Sequence, residues 1–295
     1  MSKASELEIP TRFGPLTALA WGDPHAPVLL ALHGWLDNAA SFSPLASGLA
    51  EHHHVVALDL PGHGRSAHLP AGLSRYHVVD QVDHVLDAAD ALGIARFDLL
   101  GHSLGAGIAA LLAAAVPQRV RRLALIEGLG PLADTGEGTL ARWRKAHAAG
   151  ARSGRRPRVF ASVEEAVAIR VAAGDLGADD VRPIVGRNLR VHGDGHVWAS
   201  DARLRRTTPV RLDESQVRRL LAGIGAPTWL LLADPATPYL PADMMRARAA
   251  CVPDIQVRHL EGPHHLHIRH ATRVAGLVAR FLDGAPHEPL GGAAT

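Results

Sequence analysis

Four short apolar runs, each closed by turn residues, constrain this chain most: "PVLLALHG", "HHVVALDLPGHG", "RFDLLGHS" and "RRLALIEG". A strand without polar alternation must be covered on both faces, which is the condition of a parallel sheet flanked by helices. Helical patterns fall between the runs. "RYHVVDQVDHVLDAADALG" spaces Val78, Val82, Val85, Leu86 and Ala89 along one helix face and ends at Gly93, and "LGAGIAALLAAAV" is an apolar helix stopped by Pro117. Strands alternating with helices predict βαβ units with right-handed crossovers, an α/β fold. Ahead of them, "LEIPTR" and "LTALAWG" flank the turn "FGP" and read as a hairpin.

The alternation stops after "IEGLGPL" and resumes at "APTWLLLADP", with the helix "PADMMRARAACV", the strand "DIQVRHLEG" and the helix "TRVAGLVARFLDG" beyond. The tail "APHEPLGGAAT" is expected to fray. Residues 130–223 carry only two weak helical patterns, "SVEEAVAIRVAAG" and "DESQVRRLLAGIG", and read as a helical cap inserted into a core made of 1–129 and 224–295. The block holds 17 Lys/Arg against 11 Asp/Glu, an excess that suits acidic substrates or a solvated Arg-rich surface. From sequence, Arg142, Arg144 and Arg170 cannot be assigned to a pocket.

Composition narrows the function classes. A net charge of only +2, with no basic tract interleaved with aromatics, argues against a nucleic-acid partner. No run approaches the roughly 18 apolar residues of a membrane span, and the start lacks a signal-peptide core. One cysteine, Cys251, excludes an intrachain disulfide and fits a cytoplasmic protein.

Within "FDLLGHSLGAG", Gly101-His102-Ser103-Leu104-Gly105 matches G-x-S-x-G between a predicted strand and a predicted helix. That context is what a nucleophile elbow demands: a sharp turn that exposes a strained serine above the carboxyl edge of the sheet. A tight Gly/Ser turn is the alternative. The amide of Leu104 opens the helix and points toward developing negative charge. In "HGW", the amide of Trp35 is the second oxyanion candidate, and its side chain either walls an acyl pocket or simply packs. "DLPGHGRS" reads as a structural turn that Asp59 and Arg65 bridge.

Taken together, "HGWLDNAASF", "DLPGHGRS", "LLGHSLGAG", "LALIEGLGPL" and "EGPHHLHI" resemble the α/β-hydrolase superfamily over nearly the whole chain, and its serine hydrolase-like proteins in particular. The resemblance implies the α/β-hydrolase fold, a mostly parallel twisted sheet flanked by helices with an inserted cap, and hydrolase chemistry.

The base should follow the last strand in this chain order. "HLEGPHHLHIRH" offers His264 first, with His267 repeating a spacing common in the superfamily. Pro263 departs from the usual pattern and keeps His265 as an alternative. The remaining histidines do not assemble a metal pattern; "EHHHVV" and "HGDGH" read as solvated loops, and no metal or cofactor is expected. The resemblance also implies an acid after "PTWLLLADP". Counting four back from Pro241 lands there on Thr237, which leaves Asp234 nearby. In other members of the superfamily the acid stands one strand earlier, after the strand that follows the nucleophile helix. The resemblance places Glu127 there, 24 residues after Ser103 at the end of "LALIEG", and makes it the stronger candidate. A carboxylate buried at a strand end needs a partner such as an imidazole N–H. A cap arginine would also serve it.

The expected chemistry is a Ser103-His264-Glu127 triad hydrolysing a small or medium carboxylic ester through an acyl-enzyme. A C–C hydrolase or haloperoxidase-like enzyme would use the same triad. A non-catalytic ligand-binding protein is the rival class, favoured by the missing acid at Thr237.

Overall fold

The computed structural model describes residues 4–148 and 157–284. The tail 285–295 lies outside the described residues. Strands β1 (Ser5–Ile9), β2 (Leu16–Trp21), β3 (Val28–Leu32), β4 (His54–Leu58), β5 (Phe97–His102), β6 (Val120–Ile126), β9 (Thr228–Asp234) and β10 (Ile255–Glu261) form one sheet. Its order is β1-β2-β4-β3-β5-β6-β9-β10. The hairpin β1–β2 is antiparallel and joins β4 antiparallel, while every pairing from β4 to β10 is parallel.

Period two divides each central strand between two cores. Leu30 and Leu32 of β3 belong to the core that also takes buried residues from α2 (Gln81–Ala91), α3 (Leu104–Ala115) and α8 (Ala242–Ala249). Leu29 and Ala31 join the other core with α1 (Ser43–Leu49) and α10 (Ala271–Leu282). Helix α3 is buried from Gly105 to Ala113, which explains why its sequence is apolar all round.

Between β6 and β9 lie α4 (Thr139–Ala148), α5 (Val163–Ala172), α6 (Ala178–Arg187), the hairpin β7 (Leu189–His192) with β8 (Gly195–Trp198), and α7 (Glu214–Leu221). Phe160, Val167, Val181, Ile184 and Val185 build a third core here, and Ile268 of the short helix α9 (Leu266–Arg269) completes it. By contrast, Val217 and Leu221 of α7 enter the core beneath α3.

Helix α6 escapes a sequence reading because Pro183 sits inside it. Proline removes a donor and usually ends a helix; here burial of Val181, Ile184 and Val185 carries the turn through. "HGDGH" proves to be the tip of the β7–β8 hairpin, with His192 opposite Gly195 and Gly193 at φ 58° supplying the two-residue turn. In "EHHHVV", His53 is buried beside Asp98 rather than solvated. Asp59 does bridge its loop, but through the backbone N–H of Arg65 (2.9 Å); the guanidinium that meets it is that of Arg187 from α6. Arg170 likewise turns inward to Asp37. Part of the basic excess of the segment between β6 and β9 is therefore spent on carboxylates of the loops after β3 and β4.

Candidate active site

Ser103 stands between the last residue of β5 and the first of α3, at φ 52° and ψ −112°. Such a conformation costs on the order of 1–3 kcal/mol for a residue with a side chain and persists only where the surroundings enforce it. Two glycines permit the enforcement. A Cβ on Gly105 would collide with the carbonyl oxygen of Leu32, and one on Gly101 would lie 2.6 Å from the Ala106 Cα. The Ser103 amide donates to Ile126 O at 3.0 Å, tying the elbow to the end of β6.

One residue further along β6 is Glu127, 1 % exposed and at φ 54°. Its amide still pairs with β9, donating to Leu231 O at 2.8 Å. The side chain follows the same direction. Oε1 accepts the Ala233 N–H at 2.6 Å, and Oε2 accepts the Thr237 hydroxyl at 3.3 Å and the Nδ1–H of His264 at 2.9 Å. Thr237, at the position where a carboxylate was missing, thus supports the carboxylate supplied by the neighbouring strand. Asp234 is exposed at the end of β9, and among the described residues its carboxylate makes no bond to His264. Nor, among those residues, does the glutamate pair with an arginine of the insertion.

His264 follows β10 in the turn before α9. With Nδ1–H directed to Glu127, its Nε2 lone pair is free to accept a proton. The ring packs edge-on against Tyr239 (5.2 Å between centroids) and lies 4.8 Å from the His102 ring. Burial raises the Tyr239 phenol to about 12, aided by the carboxylates around it, so it remains a neutral wall. His265, the alternative base, directs its ring to Asp175 and Asp37 instead of Glu127. Among the described residues the Ser103 hydroxyl makes no hydrogen bond. Catalytic bonds of this kind commonly tighten only with substrate present.

The loop after β3 is set by His33. Its buried ring accepts the Leu60 N–H on Nε2 (3.0 Å), so Nδ1–H donates to Gly34 O (2.8 Å). Burial lowers its pKa and keeps it neutral. Leu36 at φ 62° then turns the chain, and Asp37 N–H closes onto Gly34 O at 3.1 Å. Trp35 is 53 % exposed, with its indole N–H reaching Leu204 O at 3.1 Å beyond β8. The side chain spans from the sheet to the insertion. The amides of Trp35 and Leu104 have no acceptor among the described residues.

Asp37, His102 and His265 bring one potential ligand atom each within 4.8 Å of one another. The donor set does not suit a cation. Arg170 already occupies Asp37, and His265, raised to about 9, keeps both ring nitrogens protonated at neutral pH. Sequence reasoning left Arg170 unassigned and named neither Asp37 nor Asp175, because nothing local marks residues that meet only through the fold.

A sequence profile described as alpha/beta hydrolase fold matches residues 27–151. A probable serine hydrolase of Drosophila melanogaster is 30 % identical over 302 residues, covering 95 % of this chain and 88 % of that protein. A pimeloyl-[acyl-carrier protein] methyl ester esterase of Xanthomonas campestris is 31 % identical over 279 residues, covering 89 % of this chain and 97 % of the esterase. Among solved structures, the hypothetical protein PA1622 from Pseudomonas aeruginosa PAO1 superposes with a TM-score of 0.87 at 37 % identity, over 94 % of this chain and 99 % of that one.

Proposed function

Because the chain belongs to the alpha/beta hydrolase family and resembles its serine hydrolase-like proteins, we propose that it is a serine esterase acting on small or medium carboxylic esters. The observation that carries this reading is the 2.9 Å bond from the His264 imidazole to a buried carboxylate, in a chain that also holds a strained serine at the strand–helix turn. The esterase relative from Xanthomonas campestris supports the bond type.

In the proposed reaction the Ser103 hydroxyl oxygen attacks the ester carbonyl carbon while Nε2 of His264 takes its proton. Glu127 stabilises the resulting imidazolium and holds the ring in the tautomer that can accept. The amides of Trp35 and Leu104 receive the negative charge that forms on the carbonyl oxygen. Collapse expels the alcohol, which leaves with the proton from His264. A water then surrenders a proton to His264 and attacks the acyl-enzyme, releasing the acid and restoring Ser103. No cofactor or metal enters this cycle. The segment 130–223, through Leu204 and its neighbours against Trp35, is proposed to cover the acyl site as a lid, and a cytoplasmic location suits the single cysteine.

A fluorophosphonate probe tests the reading directly. Labelling and p-nitrophenyl butyrate hydrolysis by the native protein, both lost in a folded Ser103→Ala variant, are the expected outcome. Turnover retained in that variant rejects the mechanism.

A further inference from the structure

His264 is followed by a second histidine whose every polar atom is committed elsewhere. The His265 ring donates from Nδ1 to Asp175 Oδ1 at 2.6 Å and from Nε2 to Asp37 Oδ2 at 3.2 Å. Its backbone N–H donates to Asp175 Oδ2 at 3.3 Å, while the carbonyl of the same peptide, that of His264, accepts Nε2–H of His102 at 3.2 Å. The peptide joining the two histidines is therefore pinned at both ends, from below by the residue preceding Ser103 and from above by the insertion.

The partners come from two segments, the loop after β3 and the end of α5 with the residues that follow it. Asp37 lies two residues past Trp35, Asp175 follows α5, and Arg170 of α5 closes the arrangement with a 2.9 Å bond to Asp37 Oδ1. We propose that His265 is a positioning residue: bridging Asp37 and Asp175, it clasps the base-bearing turn to the oxyanion loop and to the insertion, and thereby holds the His264 ring on Glu127. This rests on the reading of His264 as the base.

Charge requires the clasp to be closed by an imidazolium. Two carboxylates face one guanidinium, and Asp37 is buried, so a neutral His265 would leave one carboxylate of the pair without a countercharge. The other titratable groups around it do not supply the missing charge. His102 and His267, buried beside it, are lowered by desolvation and by the neighbouring histidines and stay neutral, and Tyr239 keeps its proton. On the same turn, His264 is engaged with Glu127. A displacement of about 1 Å in a catalytic group costs roughly 100-fold in rate, so a loosened turn should appear in kcat.

Two variants and one spectroscopic signal test this. In ¹⁵N-histidine NMR, one imidazolium should persist above pH 8, vanish in His265→Gln and titrate lower in Asp175→Asn. With p-nitrophenyl butyrate, each variant should lose about 10- to 100-fold in kcat with KM within about twofold, and the double variant should fall no further than the worse single one. If His265→Gln does not fold, the half-exposed Asp175 still gives the same readout. Folded variants with native kcat overturn the clasp while leaving the triad standing, provided Ser103→Ala abolishes fluorophosphonate labelling. Labelling that survives Ser103→Ala instead overturns the triad and the positioning role with it.

Discussion

Replacing Glu127 by Gln keeps the shape of the side chain and changes one proton. In the native site Oε1 accepts the Ala233 N–H at 2.6 Å, a bond to a buried backbone donor that only an oxygen can maintain. The introduced side-chain amide must therefore turn its oxygen to Ala233, which aims its NH2 group at His264 Nδ1 and the Thr237 hydroxyl. Facing a donor, Nδ1 can only accept, so the imidazole proton moves to Nε2. In the proposed reaction that is the nitrogen which takes the proton of Ser103. A neutral amide in place of a triad acid costs about 10⁴-fold in kcat, or roughly 5.5 kcal/mol of transition-state stabilisation at about 1.4 kcal/mol per tenfold. Folding should suffer far less, because the Ala233 bond survives; a loss of about 1 kcal/mol is expected. The comparison is Asp234→Asn, a change at an exposed position that should alter neither activity nor stability by more than about 0.5 kcal/mol. Initial rates with p-nitrophenyl butyrate and urea unfolding of the same preparations give both numbers. Native kcat in Glu127→Gln together with a collapse in Asp234→Asn would refute the assignment of the acid.

Two further outcomes concern stability. Arg187 donates from Nε to both oxygens of Asp59, which is fully buried, and Arg187→Met leaves that carboxylate with backbone and hydroxyl donors but no countercharge. Urea unfolding should register a loss of about 3–5 kcal/mol, partly recovered when Asp59→Asn is added. The second concerns pH. Burial opposes charge on His265, but Asp175 and Asp37 outweigh it and raise the pKa from 6.5 to about 9. A raised histidine stabilises the fold fully below pH 6.5 and loses that contribution as pH climbs through about 9, a decline on the order of 3 kcal/mol. Unfolding free energies measured between those limits should fall in the native protein and flatten in His265→Gln; parallel curves would contradict the assignment.

What the sequence made legible follows from how local each feature is. The elbow at Ser103 is written in consecutive residues, and its glycines are needed for contacts with Leu32 and Ala106 that any strand–turn–helix of this kind would make. His264 was reached from chain order together with a spacing the superfamily shares, and Pro263 left His265 beside it as an alternative. The link between Glu127 and Thr237 was not legible, because it depends on β6 and β9 being neighbours despite the 101 residues between Ile126 and Thr228. Helix α6 was hidden by Pro183, since burial outweighs propensity there. The Asp37–His265–Asp175 arrangement joins residues 90 and 228 positions apart, beyond the reach of any periodicity.

Why the carboxylate that meets His264 can stand at the end of β6 is a matter of register. Strands β6 and β9 run parallel with Ile126 opposite Leu231, so their carboxyl ends open on the same side of the His264 turn. An acid leaving β9 would approach the imidazole from the loop that begins at Asp234. One leaving β6 must cross the width of a strand, about 4.8 Å. Two features make the crossing. Glutamate is a methylene longer than aspartate, and the backbone of Glu127 at φ 54° swings the side chain toward Ala233, whose N–H then fixes it. The β9 loop, relieved of the charge, keeps a hydroxyl at Thr237 that donates to the same oxygen as His264. A carboxylate in both places would set two like charges around one imidazole and raise the pKa of one of them; a donor beside a single carboxylate avoids that conflict. The threonine that leaves the β9 loop without an acid is thus what a carboxylate on the adjacent strand requires.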